Sequence, residues 1–427
     1  MQREAPIRIT ASSSKTSARG LDYFSFFLAD AQTGFGPFLT VYLTSEKWPN
    51  ADIGLLLTVG SLVGLIGQIP AGAIIDATRR ERLIAAIAVA GVGLSALAIA
   101  LSSQFLFTVF AQVLHVAASV FIGPALAAIS LALVGHLNLG ARLGRNAQFA
   151  SAGSMFATVV MGACGYFLSN RAVFFLTAAM TVPALVAILF VSPNRPHIGH
   201  ADYKGQANYS LRRALVSLTT DRGFLILSLC VFFFHLANAG LMPLAASLIT
   251  MRSEQWATVL VAMCLILPQI VVTLGSGRVG ALADDHGRRP LLLIAFASLG
   301  LRAFLFGFCR EPYGFVILQI LDGIAAAIIG IIVAVCVADL TQRSNNFNVG
   351  LGVTGAAMGL GAAISTTLTG EIADLAGSSI AFFAMAAVAL FGMTIVGRYM
   401  PETRSTIEAN KLATKCTFPG PNRSQIP

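Results

Sequence analysis

Gly72-Ala-Ile-Ile-Asp76-Ala-Thr-Arg79-Arg80-Glu81-Arg82 has a second copy in this chain, Gly280-Ala-Leu-Ala-Asp284-Asp-His-Gly287-Arg288-Arg289-Pro290. Each copy joins two apolar runs long enough to cross a membrane, and each has a glycine, an acid four residues later, and then arginines. Residues four apart share a helix face, so the glycine opens a groove beside the acid. An acid at the end of a membrane helix is tolerated when it meets arginines or the amides at the start of a neighbouring helix. Such a cluster can hold two helices in one conformation and release them in another. The plainer reading is that the arginines only anchor a loop at the membrane surface. Recurrence after 208 residues, about half the chain, favours the latch.

Working outward, the composition fits a membrane protein. Of 427 residues, 56% are hydrophobic and 11% charged; soluble domains have about 25% charged residues. Mean hydropathy is +0.78. A spanning helix needs about 20 apolar residues. Twelve stretches qualify, near 21–44, 51–76, 83–102, 104–135, 146–168, 172–192, 223–250, 257–283, 290–308, 313–341, 348–375 and 379–400. The net charge of +9 is not spread as nucleic-acid binding would require. With the N-terminus inside, 23 of the 28 Lys and Arg fall in inner segments and only Lys47, Arg171, Arg252 and Arg310 in outer loops. The positive-inside rule then puts both termini in the cytoplasm.

The expected organisation is a polar, disordered segment 1–20, a six-helix half 21–192, a central cytoplasmic loop 193–222, a second six-helix half 223–400 and a polar tail 401–427. Within the loop, the run from Leu211 reads as a short amphipathic helix on the inner surface. The halves echo each other. Gln32-Thr-Gly34-Phe-Gly36-Pro37 matches Asn238-Ala-Gly240-Leu-Met-Pro243 at an offset of 206, and Gln112-Val-Leu-His115 matches Gln319-Ile-Leu-Asp322 at 207. Near-constant offsets of this kind mark a duplicated transporter of parallel halves. The six cysteines form no C-x-x-C pair and read as packing residues. No G-x-x-x-x-G-K-S/T, G-x-S-x-G or H-E-x-x-H motif is present, so no enzyme activity, no nucleotide-driven step and no cofactor is expected.

The duplicated hinge, the twelve spans, the central loop and the terminal Pro401-Glu402-Thr403 resemble the major facilitator superfamily, over roughly residues 20–404. The first hinge departs from the pattern, with Ala77-Thr78 where the family has an arginine and a glycine, which implies a weaker first latch. Asp30-x-Gln32-x-Gly34-x-Gly36-Pro37-Phe38 with Arg142-Leu-Gly-Arg145-Asn146 is similar to a bacterial subgroup that includes magnetosome-membrane facilitators of the MamH type. That resemblance implies iron as cargo, moved out of the cytoplasm into a magnetosome lumen for biomineralization.

Ionisable residues at mid-membrane are costly and mark function by default. They are Asp30, His115, His235, Arg302 and Asp322, accompanied by Gln32, Gln112, Asn238 and Gln319. In the family's arrangement the first, fourth, seventh and tenth helices line the central cavity, and all but Arg302 fall on those four. Asp30 and Asp322 are candidate proton carriers. Asp30, His115, His235 and Asp322 together suit a divalent first-row metal such as ferrous iron, bound transiently. The competing reading is that these groups only hold the bundle together. Arg302, on a peripheral helix, is expected to snorkel or pair across helices, and Asp339 to form a surface pair with Arg343.

The expected protein is therefore a secondary transporter in the inner or magnetosome membrane, rocking residues 1–200 against 220–410. The cargo or proton site comprises Asp30, Gln32, Gln112, His115, His235, Asn238, Gln319 and Asp322. Gly72, Asp76, Arg79, Arg80, Gly280, Asp284, Arg288 and Arg289 gate its inner side. The partners are a small cargo (iron favoured), protons and the lipid bilayer, with no nucleic acid. Two alternatives are proton-driven export of a small organic compound, using Phe35, Phe38 and Phe234, and a transport-dead membrane sensor or scaffold.

Overall fold

The computed structural model describes residues 11–33, 35, 37–78, 80–191, 210–252, 256–342, 344 and 346–403. Among them every regular element is helical, as a bilayer requires of a chain that must satisfy its backbone internally. The first half comprises α1 (Ala11–Thr33), α2 (Pro37–Ser45), α3 (Asn50–Thr78), α4 (Glu81–Leu101), α5 (Phe105–Val134), α6 (Leu139–Phe167) and α7 (Asn170–Leu189). A short α8 (Leu211–Thr220) precedes the second half. That half comprises α9 (Arg222–Asn238), α10 (Leu241–Arg252), α11 (Ala257–His286), α12 (Arg289–Phe308), α13 (Pro312–Thr341), α14 (Phe347–Ala376) and α15 (Ser378–Tyr399).

Eleven spans, counting α9 and α10 as one, are long and apolar enough to cross a membrane. The twelfth is α1 with α2. It breaks between Thr33 and Pro37, where proline removes a backbone donor and cannot continue the helix. Its counterpart breaks at Ala239–Gly240, between α9 and α10. There the Gly240 amide donates to Ser365 Oγ of α14 at 2.9 Å, so the freed backbone group is satisfied by a neighbouring helix. A Cβ on Gly240 would overlap the side chain of Thr369.

Packing repeats from half to half. α1 lies on α6 and α7, α3 on α5, and α4 on α5 and α7; likewise α9 lies on α14 and α15, α11 on α13, and α12 on α13 and α15. The halves meet through α6 against α11 and α3 against α14. Large apolar side chains such as Leu106 (79% exposed) and Phe110 (72%) cover the outside, facing where lipid belongs.

The structure departs from the sequence expectation at the start of α1 and at Asp339, and it forms the short helix expected from Leu211. α1 begins at Ala11, ahead of the expected limit at residue 20, because its first turns pack on α7: a Cβ on Gly20 would press against Ala187 and Phe190. The central loop contains α8, which buries Ala214 and Leu218 and exposes Arg212 and Arg213; residues 192–209 lie outside the described ones, as does the tail beyond Thr403. Asp339 is not on the surface. It is 4% exposed, and it accepts from Arg288 Nε at 3.0 Å and from Thr403 Oγ1 at 2.9 Å; Arg343 lies outside the described residues.

Candidate functional site

Both hinges lie at the end of the bundle that carries Ala11 and Thr403, here the hinge end, and there the halves are closed against each other. A Cβ on Gly72 of α3 would overlap the Asn348 carbonyl of α14, and one on Gly352 would overlap that of Gln68. On the other seam, a Cβ on Gly144 of α6 would overlap the Ser276 carbonyl of α11, and one on Gly280 that of Gly140. Gln148 Nε2 donates to the Thr273 carbonyl at 3.0 Å across the same seam. Small residues thus let the backbones touch. Towards the opposite end, Gly54, Gly162 and Gly370 on three of these four helices have nothing within 4 Å of an added Cβ. The bundle is closed across both seams at the hinge end.

Asp76 crosses the seam. Its carboxylate accepts from the Asn348 amide (3.2 Å), Asn348 Nδ2 (2.7 Å) and the Val349 amide (3.0 Å). These amides open α14, whose own preceding residue, Asn346, makes no side-chain cap. Asp76 therefore caps a helix of the other half, satisfying orphan donors and placing a negative charge at the positive end of the helix dipole. Arg80 is exposed, and Arg79 lies outside the described residues.

The second hinge is wired differently. Besides Asp339, Arg288 donates from Nη1 to the Ala283 carbonyl at 2.7 Å. The backbone amides of Arg288 and Arg289 donate to the Glu402 carboxylate at 2.8 and 3.1 Å, and the Arg289 guanidinium donates to the Gly397 carbonyl. All these partners belong to the second half or to the Pro401-Glu402-Thr403 segment that follows it. The side chain of Asp284 lies outside the described ones.

At mid-membrane, the second half holds a charged cluster. Arg302 does not snorkel: it is 2% exposed, on α12 where that helix packs against α13 and α9. It is ion-paired to Asp322 of α13, and it donates to Gln319 Oε1 (3.0 Å) and to Asn238 Oδ1 of α9 (2.5 Å). Its guanidinium lies over the Phe306 ring at 5.6 Å. Gln319 Nε2 in turn lies 2.9 Å from Met242 Sδ of α10. The Asp322 side chain keeps 26% exposure against 2% for Arg302. The exposed apolar residues of α13 at this level, Ile317 and Ile320, lie about 140° and 200° around the helix from Asp322, so its exposure points away from theirs. The sequence signal for Arg302 was its charge at mid-depth; its reach to two other helices, α9 and α13, is a tertiary fact.

The first half holds a neutral counterpart. His115 of α5 is 8% exposed and stacks on Phe35, with ring centroids 3.5 Å apart and planes 7° off parallel. Its Nε2 lies 3.5 Å from Ser119 Oγ. Thr108 Oγ1, Gln112 Oε1 and His115 Nδ1 are buried and have no hydrogen-bond partner among the described residues. Their spacing of four and three residues puts them on one face of α5. His235 of α9 is half-buried beside Phe234. The side chains of Asp30 and Gln32 lie outside the described ones, although both residues are within α1. Among the described residues no group of three or more His, Cys, Asp or Glu could hold a metal ion.

A further polar group lies between these levels. Asp22 of α1 is buried and ion-paired to Arg142 (2.5 Å) and Arg145 (2.7 Å) of α6, and Asn146 Nδ2 donates to Ser130 Oγ of α5 at 2.7 Å. The Arg142-Leu-Gly-Arg145-Asn146 run stood out in the sequence, but its acid, 120 residues away, did not.

A family model described as Major Facilitator Superfamily matches the chain twice, over residues 22–279 and 227–422. Two uncharacterized MFS-type transporters of Mycobacterium tuberculosis, from strains CDC 1551 / Oshkosh and H37Rv, are each 35% identical over 394 residues, 90% of this chain and 93% of theirs. Among solved structures, a variant of the E. coli fucose:proton symporter FucP superposes with a TM-score of 0.72 at 16% identity, and FucP in its outward conformation with 0.74 at 15%. Each alignment covers 91% of this chain and all of the other. The chain belongs to the major facilitator superfamily.

Proposed function

We propose that this membrane transporter carries a small organic compound together with a proton, by alternating access between its two halves. The observation that carries this reading is the Arg302–Asp322 pair, a buried guanidinium whose carboxylate partner is the accessible member. Arg302 cannot give up its proton. Protonating Asp322 therefore leaves a buried cation without its charge partner, at a cost of about 3–5 kcal/mol. A state with protonated Asp322 needs either a movement of α12 against α13 or a cargo group that accepts from Arg302. Either response ties proton binding to cargo or to conformation. Gln112 and His115 of the first half would supply neutral hydrogen bonds to the same cargo. Asp76, Gly72 and Gly280 would form the inner gate, with Arg288 and Arg289 holding the second hinge in shape. The charge bias supports a cytoplasmic position for this end and both termini.

Iron, with the magnetosome role it implies, fits this site less well. Asp322 already has a cation, and His115 is stacked on Phe35. The test uses proteoliposomes loaded with a pH-reporting dye and challenged with a panel of small organic compounds and, separately, with ferrous iron. The expected result is a compound-dependent proton flux in the wild type that is lost in Asp322→Asn. Ferrous-iron flux that survives in Asp322→Asn, with no response to any organic compound, would overturn the reading.

A further inference from the structure

α9 and α15 frame a cavity of about 420 Å³ at the hinge end, lined by Arg222, Gly223, Ile226, Arg398, Tyr399 and Pro401. Arg222 opens α9 and Arg398 lies in the last turn of α15; both are exposed. Neither forms an ion pair within the described residues. The nearby acids are engaged elsewhere. Asp221 accepts from the Phe224 amide at 2.9 Å, and Glu402 from the amides of Arg288 and Arg289. The cavity thus gathers two cations from two helices beside an exposed tyrosine.

The surface leading away from it is apolar. Leu225 and Leu229 are exposed on α9, and Phe391 is exposed on α15. Leu225 and Leu229 follow Arg222 at three and seven residues, and Phe391 precedes Arg398 by seven, so each stripe shares the helix face of its arginine. Seven residues of helix span about 10 Å. Deeper along α9, eleven residues from Arg222, Phe233 meets Phe391 edge to face with centroids 5.0 Å apart and bridges the two helices. Cations at the membrane boundary, with exposed apolar side chains leading from them along both helices into the bilayer, match the polarity of one molecule, an anionic phospholipid.

We propose that this cavity, with the exposed apolar residues beyond it, is a binding site for an anionic phospholipid of the hinge-end leaflet. Arg222 and Arg398 hold its phosphate, the Tyr399 hydroxyl donates to the headgroup, and an acyl chain lies along Leu225, Leu229 and Phe391. The two guanidiniums give charge-assisted hydrogen bonds to phosphate oxygens. The lipid joins the first turn of α9 to the last turn of α15, so it braces the second half and does not cross the seam between halves. The site is independent of cargo.

The purified full chain is exchanged into phosphatidylglycerol or phosphatidylcholine and examined by native mass spectrometry and thermal unfolding. The wild type should retain one phosphatidylglycerol and show a Tm several degrees above that in phosphatidylcholine. Each of Arg222→Gln and Arg398→Gln should weaken retention roughly fivefold, and the double variant should abolish both the adduct and the Tm difference. Arg212→Gln/Arg213→Gln, on α8 at the same membrane face but outside the cavity, should behave as wild type. Both target side chains are exposed, so the single variants read the site even where the double variant is not recovered. Equal retention in wild type and either single variant would overturn the proposal. So would equal loss in the α8 variant, which would make the effect a general surface attraction. Stabilisation by inorganic phosphate matching that by phosphatidylglycerol would assign the arginines to a soluble anion instead.

Discussion

The two hinges share a spacing and divide the work. Their glycines do the same thing: Gly72 and Gly280 each bring a helix of one half against the backbone of the other. Their charges do not. In the first copy the acid reaches across the seam, where Asp76 caps α14 with three hydrogen bonds. In the second the arginines reach inward, where Arg288 fixes Asp339 and the backbone binds Glu402. A repeated motif is thus a repeated backbone geometry, on which each copy places its own electrostatics. The expected weakness of the first copy rested on Ala77-Thr78. The structure shows its acid making a full set of bonds without any described arginine beside it.

This division predicts different failures. Arg288→Ala should have the largest effect, since it strips the guanidinium from an Asp339 side chain that is 1% exposed. Removing one member of such a pair costs about 3–5 kcal/mol. The loss should be one of stability in every conformation: a lower Tm and poorer recovery, with no preference for one open state. Asp76→Ala should cost less, about 1–2 kcal/mol for a lost cap and its charge at a helix N-terminus. That loss applies only while the hinge end is closed. The ratio of closed to open hinge end should fall by roughly five- to thirtyfold, read as labelling of a cysteine placed on the seam at Ser276, with Tm little changed. Equal Tm losses and equal labelling in the two variants would erase the distinction between the copies.

Much of the architecture was legible because bilayer physics is written in composition. Twelve apolar runs, the charge bias and the offsets of 206 to 208 follow from what lipid and duplication demand. Even the breaks in the first and seventh spans show as Gly and Pro at matching positions. The partnerships were not legible, because each joins residues that only the packed bundle brings together. Asp22 meets Arg142 across 120 positions, Asp76 meets Asn348 across 272, and Arg288 meets Glu402 across 114. Arg302 is the instructive case. Its helix is peripheral, which argued for a structural role, yet its side chain is long enough to pass between its neighbours and end beside Asp322, Gln319 and Asn238. Pattern places a backbone; the reach of a long side chain is decided by what surrounds it.

The smallest expected effect sharpens the comparison most. Arg80 sits in the first hinge at the position where the second hinge has the buried Arg288, but it is exposed, precedes α4 and makes no side-chain cap. If the first latch is the acid alone, Arg80→Gln removes only a solvated charge. It should then change stability by less than about 0.5 kcal/mol and the seam-labelling ratio by less than about twofold. The same substitution at Arg288 should fail on stability grounds, as the alanine does. A shift for Arg80→Gln as large as that for Asp76→Ala would mean that the arginine shares the latch. The two hinges would then differ in degree, and the cap on α14 would no longer account for the closed end by itself.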